Sequence, residues 1–131
     1  YYIFTVDFLG NRNGLQYSIV DITKDGGNGD VTIKNVKLYD PACEKITAVL
    51  HKNEKDFWII SHKFKSDEFV AYQLTGTCLN TTPIITAVGE VHGGLVENTR
   101  GYMKVSPDGS TLALACDYCN FIEILDFNNS T

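Results

Sequence analysis

Short apolar runs separated by polar turns recur along the whole chain. Residues 57–61 (FWIIS) and 111–115 (TLALA) are almost continuously apolar, whereas residues 121–126 (FIEILD) alternate more between apolar and polar. Continuous runs are typical of strands buried on both faces, and alternation is typical of strands with one face in solvent. No window of about 11 residues sustains a 3.6-residue period, so the pattern predicts an all-β chain essentially without helices.

A hairpin-like unit of apolar strand, polar turn and second strand occurs three times, at residues 1–23, 56–75 and 110–127. Equivalent positions lie 54 residues apart from Phe57 to Thr111 and 52 apart from Phe69 to Phe121. A period of about 53 residues is close to that of kelch-type β-propeller blades. The spacing therefore predicts a repeat of blades, each a small antiparallel sheet.

Further β-branched segments, each bounded by turn residues, complete the predicted blades; they are residues 31–40, 45–53, 82–91 and 101–109. With strands labelled A to D in each blade, the chain runs B-C-D, A-B-C-D, A-B-C. We therefore predict one domain over residues 1–131, a partial β-propeller of about two and a half four-stranded antiparallel blades. The blades are predicted at residues 1–40, 45–91 and 101–127. An all-β sandwich also uses short strands and regular turns, but it does not require the repeat.

Composition narrows the classes of partner. The chain has 131 residues, of which 44% are hydrophobic and 21% charged, so it is long enough for one domain with its own core. Its net charge of −5 argues against nucleic acid, which requires clustered Lys and Arg. No apolar stretch approaches the roughly 18 residues of a membrane span. The opening YYIFTV resembles the interior of a strand, so we expect a piece of a longer protein.

Residues 101–127, which contain the turn SPDG (106–109) and close on DF, resemble the repeats of WD-like bacterial β-propellers. Residues 45–75 are similar to propeller segments of large secreted or surface-attached Bacteroidetes proteins. The matching positions there are Lys45, Ile46, Thr47, Ala48, Val49, His51, Asp56, Phe57 and Trp58. The resemblance implies an extracytoplasmic propeller, secreted or at the cell surface, within a larger protein.

No catalytic constellation is visible in the sequence. There is no G-x-S-x-G motif, no Ser or Cys in a recognisable His-supported context, and no carboxylate pair placed for acid–base chemistry. We therefore predict a non-enzymatic module without a cofactor. Residues 89–101 form the longest irregular stretch, and loops on a rigid scaffold often carry binding residues. Its polar residues Glu90, His92, Glu97 and Arg100 are the predicted ligand contacts.

Two further groups of residues have alternative interpretations. His51 and His62 would approach each other across the turn at 53–55, and with Glu54 or Asp56 they would offer metal ligands. Such histidines more often bond to nearby backbone, so no metal site is predicted. Cys116 and Cys119 are interpreted as small apolar residues beside a hairpin turn, with a disulfide as the alternative.

Three functions are compatible with these features: a propeller module that binds a protein, a glycan or neighbouring blades; an accessory segment of an extracytoplasmic hydrolase; and a structural spacer. The first follows most directly from a repeat without catalytic residues. Because unclosed blades leave sheet edges open, we also expect self-association or burial of these edges against neighbouring blades.

Overall fold

Each repeated hairpin forms part of a separate antiparallel sheet in the computed structural model, which describes residues 1–131. The first sheet contains β1 (Tyr2–Val6), β2 (Leu15–Asp21) and β3 (Asp30–Tyr39). The middle sheet contains β4 (Ala42–Leu50), β5 (Phe57–Lys63), β6 (Ser66–Leu74) and β7 (Ile84–His92). The third contains β8 (Met103–Val105), β9 (Thr111–Cys116) and β10 (Phe121–Asp126).

The only helices are single 3₁₀ turns at Phe8–Gly10, Asp25–Gly27 and Val96–Thr99. The all-β prediction is therefore confirmed, as three antiparallel sheets of three, four and three strands in which neighbouring strands follow one another along the chain. None of the three helical turns is long and apolar enough to cross a membrane.

The middle sheet is buried on both faces. Ile59 of β5 belongs to an apolar cluster with Leu15 of the first sheet, whereas Trp58 and Ile60 belong to a second cluster with Leu114 of the third sheet. Successive side chains of a strand point to opposite faces, so an almost continuous apolar run is what this position requires. The interpretation of residues 57–61 as a strand buried on both faces is confirmed.

The third sheet has one buried and one open face. Leu112 and Leu114 of β9 and Leu125 of β10 pack toward the middle sheet. On the other face, Ile122 and Ile124 of β10 are each 73% exposed. Polarity in residues 121–126 does not distinguish the two sides, because Glu123 lies on the core-facing side while Ile122 and Ile124 lie on the uncovered one. The interpretation of residues 111–115 as a strand buried on both faces is wrong, because buried and half-buried side chains alternate along β9 and the sheet has a neighbour on one face only.

Irregular pairing at one end of the middle sheet positions several buried polar side chains. Between the pairs Ala42↔Lys63 and Ile46↔Ser61, β4 has two more residues than β5. Between the pairs Ser66↔His92 and Glu68↔Ala87, β7 has three more residues than β6. Such bulges bend a strand and re-aim its side chains.

Candidate functional site

The predicted ligand loop, residues 89–101, is held against the middle sheet. The ammonium of Lys45, which is 1% exposed, donates to the carbonyl oxygens of Asn98 at 3.1 Å and Thr99 at 3.0 Å. The Thr99 hydroxyl donates to the carbonyl of Val96 at 2.7 Å. These bonds satisfy the backbone of the 3₁₀ turn from within the protein, so this part of the loop is a packed connection.

The four predicted ligand residues have different surroundings. The backbone N–H of Glu90 donates to the Glu123 carboxylate at 2.6 Å, and Glu97 is half-buried in the 3₁₀ turn. Arg100 lies at the surface, 5.3 Å from the centre of the Tyr118 ring. His92 is completely buried. The structure thus separates His92 from the surface group around Arg100, and ligand binding by the four residues stays a prediction.

The pairing of strands keeps His51 and His62 apart. The register pairs Leu50 with Phe57, so His51 lies in the hairpin turn, where its Nδ1 accepts from the N–H of Asn53 at 3.0 Å. His62 is five residues beyond Phe57, about 16 Å along an extended strand. The alternative metal pair that the sequence left open is therefore absent.

A different set of three residues converges at the bulged end of the middle sheet. Cys43 lies in the bulge of β4, His62 near the end of β5, and His92 at the end of β7. All three are fully buried, and potential ligand atoms of the three side chains lie within 4.8 Å of one another. The two imidazole rings stack with centroids 4.1 Å apart, and the Cys43 sulfur is 3.8 Å from His62 Nδ1. We call these three residues the Cys–His–His cluster.

Hydrogen bonds determine the tautomer of each histidine in the cluster. His62 Nδ1 lies 2.8 Å from the carbonyl oxygen of Lys63, and because a carbonyl can only accept, Nδ1 carries the proton. His92 Nε2 lies 3.1 Å from a carboxylate oxygen of Glu123 on β10, so it donates to that oxygen. His62 Nε2 and His92 Nδ1 then hold lone pairs, and both atoms are buried without a hydrogen-bond partner.

Glu123 also binds the main chain of the middle sheet. Its second carboxylate oxygen accepts from the N–H of Glu90, so one side chain of the third sheet bonds to two groups of β7. The Glu123 carboxylate can approach β7 this closely because residue 89 is a glycine. Gly89 has a φ of +81°, and a Cβ at this position would collide with the carboxylate. The bulge in β7 therefore creates the place that Glu123 occupies.

Burial controls the charge of the cluster. Burial, reinforced by neighbouring positive groups, lowers the pKa of His62 and His92 to about 4. Burial also raises the pKa of the Cys43 thiol to about 11. Both imidazoles are thus neutral at physiological pH, and their free nitrogens are available as electron-pair donors. The Cys43 thiol keeps its proton unless a cation binds to its sulfur.

Cys116 and Cys119 are joined by a disulfide across the β9–β10 turn. The interpretation of these residues as two unbonded small apolar side chains is therefore wrong, and the alternative is correct. Their Cα atoms are 5.2 Å apart, within the usual range for a disulfide. Cys43 and Cys78 remain as free thiols, the first buried and the second exposed.

Sequence reasoning identified His62 and His92 individually but did not bring either together with Cys43. The three residues are far apart along the chain, and their convergence depends on extra residues in two different strands. One local signal was present: Gly89 interrupts an otherwise β-branched strand, and an isolated glycine in a strand is typical of a bulge. Comparisons with protein-family models, with curated proteins and with solved structures find no match to this chain.

Proposed function

We propose that this chain is a non-catalytic β-propeller module of a larger secreted or surface protein, serving as a scaffold for interactions with a protein or glycan. The observation that carries this proposal is the stacking of three repeated sheets, with an apolar face left open on the third. The middle sheet already buries apolar side chains against a neighbour on each of its faces. The third sheet does so on one face only.

The arrangement of the strands supports radial stacking. β4, the first strand of the middle sheet, approaches both β1 and β8, the first strands of the neighbouring sheets. Toward the last strands, an apolar cleft of about 290 Å³ separates the middle and third sheets; it is lined by residues that include Ile84 and Val88 of β7 and Leu125 of β10. Sheets that touch at their first strands and diverge toward their last have the relation expected of propeller blades.

The open face of the third sheet suits another sheet of the same repeat. Ile122 and Ile124, each 73% exposed, lie opposite Ala115 and Ala113 of β9 in the pairing register. Small and large apolar residues therefore alternate across this face, as they do where two sheets interlock. Exposed apolar surface of this kind is typical of interaction sites. We infer that its occupant is the apolar face of an adjacent blade.

Two surface features support an extracytoplasmic binding role. The Cys116–Cys119 disulfide is of a kind that persists mainly in oxidising compartments. Next to it, Arg100 stacks on Tyr118, and Tyr102 is 81% exposed. Arg and Tyr are enriched among the residues that dominate binding interfaces. Arg100 belongs to the predicted ligand loop, Tyr102 follows the loop directly, and Tyr118 joins it through the contact with Arg100.

Light scattering of the purified chain over a range of concentrations tests the stacking. We expect the wild type to associate as its concentration rises, and the double variant Ile122→Lys, Ile124→Lys to remain monomeric with an unchanged circular dichroism spectrum. Phe8→Lys, at a position that is 60% exposed in the first 3₁₀ turn and outside the sheets, is the matched control and should still associate. A wild type that stays monomeric throughout, or a double variant that associates equally, would contradict the proposal.

A further inference from the structure

We propose that Cys43, His62 and His92 bind one zinc ion at the bulged end of the middle sheet. Sulfur and imidazole nitrogen are the ligands that Zn²⁺ prefers in proteins. These three side chains are completely buried, come from three different strands and place potential ligand atoms within 4.8 Å of one another. The site is independent of the proposed scaffold function, because it lies inside the chain and uses none of the outward-facing residues.

Two unpartnered nitrogen atoms are the strongest evidence for a ligand. Leaving a buried polar atom without a hydrogen bond is destabilising, so such atoms require an explanation. Here His62 Nε2 and His92 Nδ1 are both buried and without a partner in the same cluster. Each holds a lone pair, since the other nitrogen of its ring carries the proton. A cation that accepts both lone pairs would satisfy the two atoms together.

The outer hydrogen bonds are those that metal-binding histidines use. A histidine ligand usually donates its second ring N–H to a backbone carbonyl or to a carboxylate, which orients the ring and strengthens the ligand. His62 donates to the Lys63 carbonyl and His92 to the Glu123 carboxylate. Because Glu123 belongs to the third sheet, an ion held by His92 would also strengthen the contact between the middle and third sheets.

The charges near the cluster are compatible with a divalent cation. Metal binding displaces the proton of a coordinating thiol, so Cys43 would contribute one negative charge. Glu123 contributes another through His92, and Glu44 is adjacent to Cys43 in sequence. The ammonium of Lys45 is the opposing positive charge, and it is directed away to the carbonyls of Asn98 and Thr99.

Binding requires contraction and reorientation of the cluster. Zn–N bonds of about 2.0–2.1 Å and a Zn–S bond of about 2.3 Å place tetrahedral ligand atoms roughly 3.3–3.6 Å apart. One potential ligand atom from each of the three residues lies within 4.8 Å of the other two, and the two imidazole rings are stacked with centroids 4.1 Å apart. Contraction of the cluster, with rotation of the imidazole rings so that His62 Nε2 and His92 Nδ1 point to one position near the Cys43 sulfur, would complete three bonds to the ion. Its depth in the core indicates a structural ion.

Cobalt(II) is the probe, because it occupies zinc sites and gives a sulfur-to-metal charge-transfer absorption in the near ultraviolet when a thiolate binds it. The purified 131-residue chain, first treated with chelator and kept free of reductant, is titrated with Co²⁺ and then with Zn²⁺. We expect a charge-transfer band that saturates at one Co²⁺ per chain and disappears when Zn²⁺ replaces it. We also expect Zn²⁺ at about 100 times its Kd to raise Tm by about 10 °C.

Four variants identify the ligands. Cys43→Ser should abolish the charge-transfer band, and His92→Gln should weaken metal binding at least tenfold. Cys78→Ser, which removes the exposed free thiol, and the double variant Cys116→Ser, Cys119→Ser, which removes the disulfide pair, should both retain the band. The double variant is essential because a reduced C-x-x-C pair would itself offer two thiolates to a metal.

The wild-type titration alone decides whether a thiolate site exists, even if a core variant fails to fold. Absence of the band and of any change in Tm would overturn the proposal. A band that persists in Cys43→Ser, or one lost in the Cys116→Ser, Cys119→Ser variant, would also overturn it by assigning the metal to other cysteines. None of these results depends on self-association, so failure of the zinc site and failure of the scaffold proposal are distinguishable.

Discussion

Leu114→Ala measures the packing that joins the middle and third sheets. Leu114 is 2% exposed and belongs to the apolar cluster that contains Trp58 and Ile60 of the middle sheet. Its side chain therefore contributes to the contact between sheets, beyond the pairing of β9 with its own neighbours. Ile124→Ala is the matched control, because Ile124 lies on β10 of the same sheet but is 73% exposed.

The expected difference follows from the buried area. Each substitution removes about three methylene equivalents, which are worth about 0.8 kcal/mol each when fully buried. For Leu114 this gives about 2.4 kcal/mol before the cavity is considered, and buried Leu→Ala changes cost about 2.7–5 kcal/mol in total. For Ile124 only about a quarter of the side chain is buried, so its transfer contribution is about 0.6 kcal/mol. Loss of β-branching raises the cost to about 1 kcal/mol.

Urea unfolding at low protein concentration, followed by the fluorescence of the single Trp58, measures both changes in the free energy of unfolding. In thermal unfolding, Leu114→Ala should lower Tm by about 10–20 °C and Ile124→Ala by about 4 °C or less. Equal costs for the two variants would refute the assignment of a buried and an open face. A cost below about 1 kcal/mol for Leu114→Ala would refute close packing of the two sheets.

Three further substitutions test local features. Lys45→Met leaves the carbonyls of Asn98 and Thr99 without their donor, so it should lower the free energy of unfolding by about 2 kcal/mol and accelerate proteolysis within residues 93–101. An unchanged rate of cleavage would contradict the contact. Gly101→Ala should lower the free energy of unfolding by more than 2 kcal/mol, because φ is +140° and a Cβ would meet the carbonyl of Ala115. Gly76→Ala, where a Cβ would lie in open space, should change it little. Calorimetry measures both variants, and equal losses of stability would contradict this difference. Hydrogen bonds from Ser106 and Ser110 lower the pKa of Asp108 below its ordinary value of 3.8. Its contribution to the free energy of unfolding is therefore complete above about pH 4 and is lost as the pH falls through the lowered pKa. Urea titrations of the wild type and Asp108→Asn should therefore converge in acid, and a difference that stays constant down to pH 2 would contradict the assignment.

The strand pattern and the division of the chain into three antiparallel sheets were predictable from the sequence because their determinants are local. The segment 57–61 is apolar at almost every position, and a strand between two packed sheets requires this pattern. The turn at 106–109 ends β8 and starts β9, since Pro presets φ and Gly adopts a φ of +70°. Three hairpins with such signals predict three antiparallel sheets without knowledge of their packing.

The Cys–His–His cluster was not predictable, because it depends on the register of four strands. Extra residues in β4 and β7 turn Cys43 and His92 toward His62, and the pattern of apolar residues does not show how many residues a bulge contains. The same register places His51 in a turn, far from the histidine with which the sequence allowed it to pair.

The amino-acid sequence by itself determined the all-β class and the hairpins, since these follow from short apolar runs and from turn chemistry. Only the tertiary structure decided which sheets face each other, that one apolar face stays open, and that two histidines and a cysteine meet in the core. These features arise from contacts between residues distant in the chain. A shift of one residue in register would send every side chain of a strand to the opposite face.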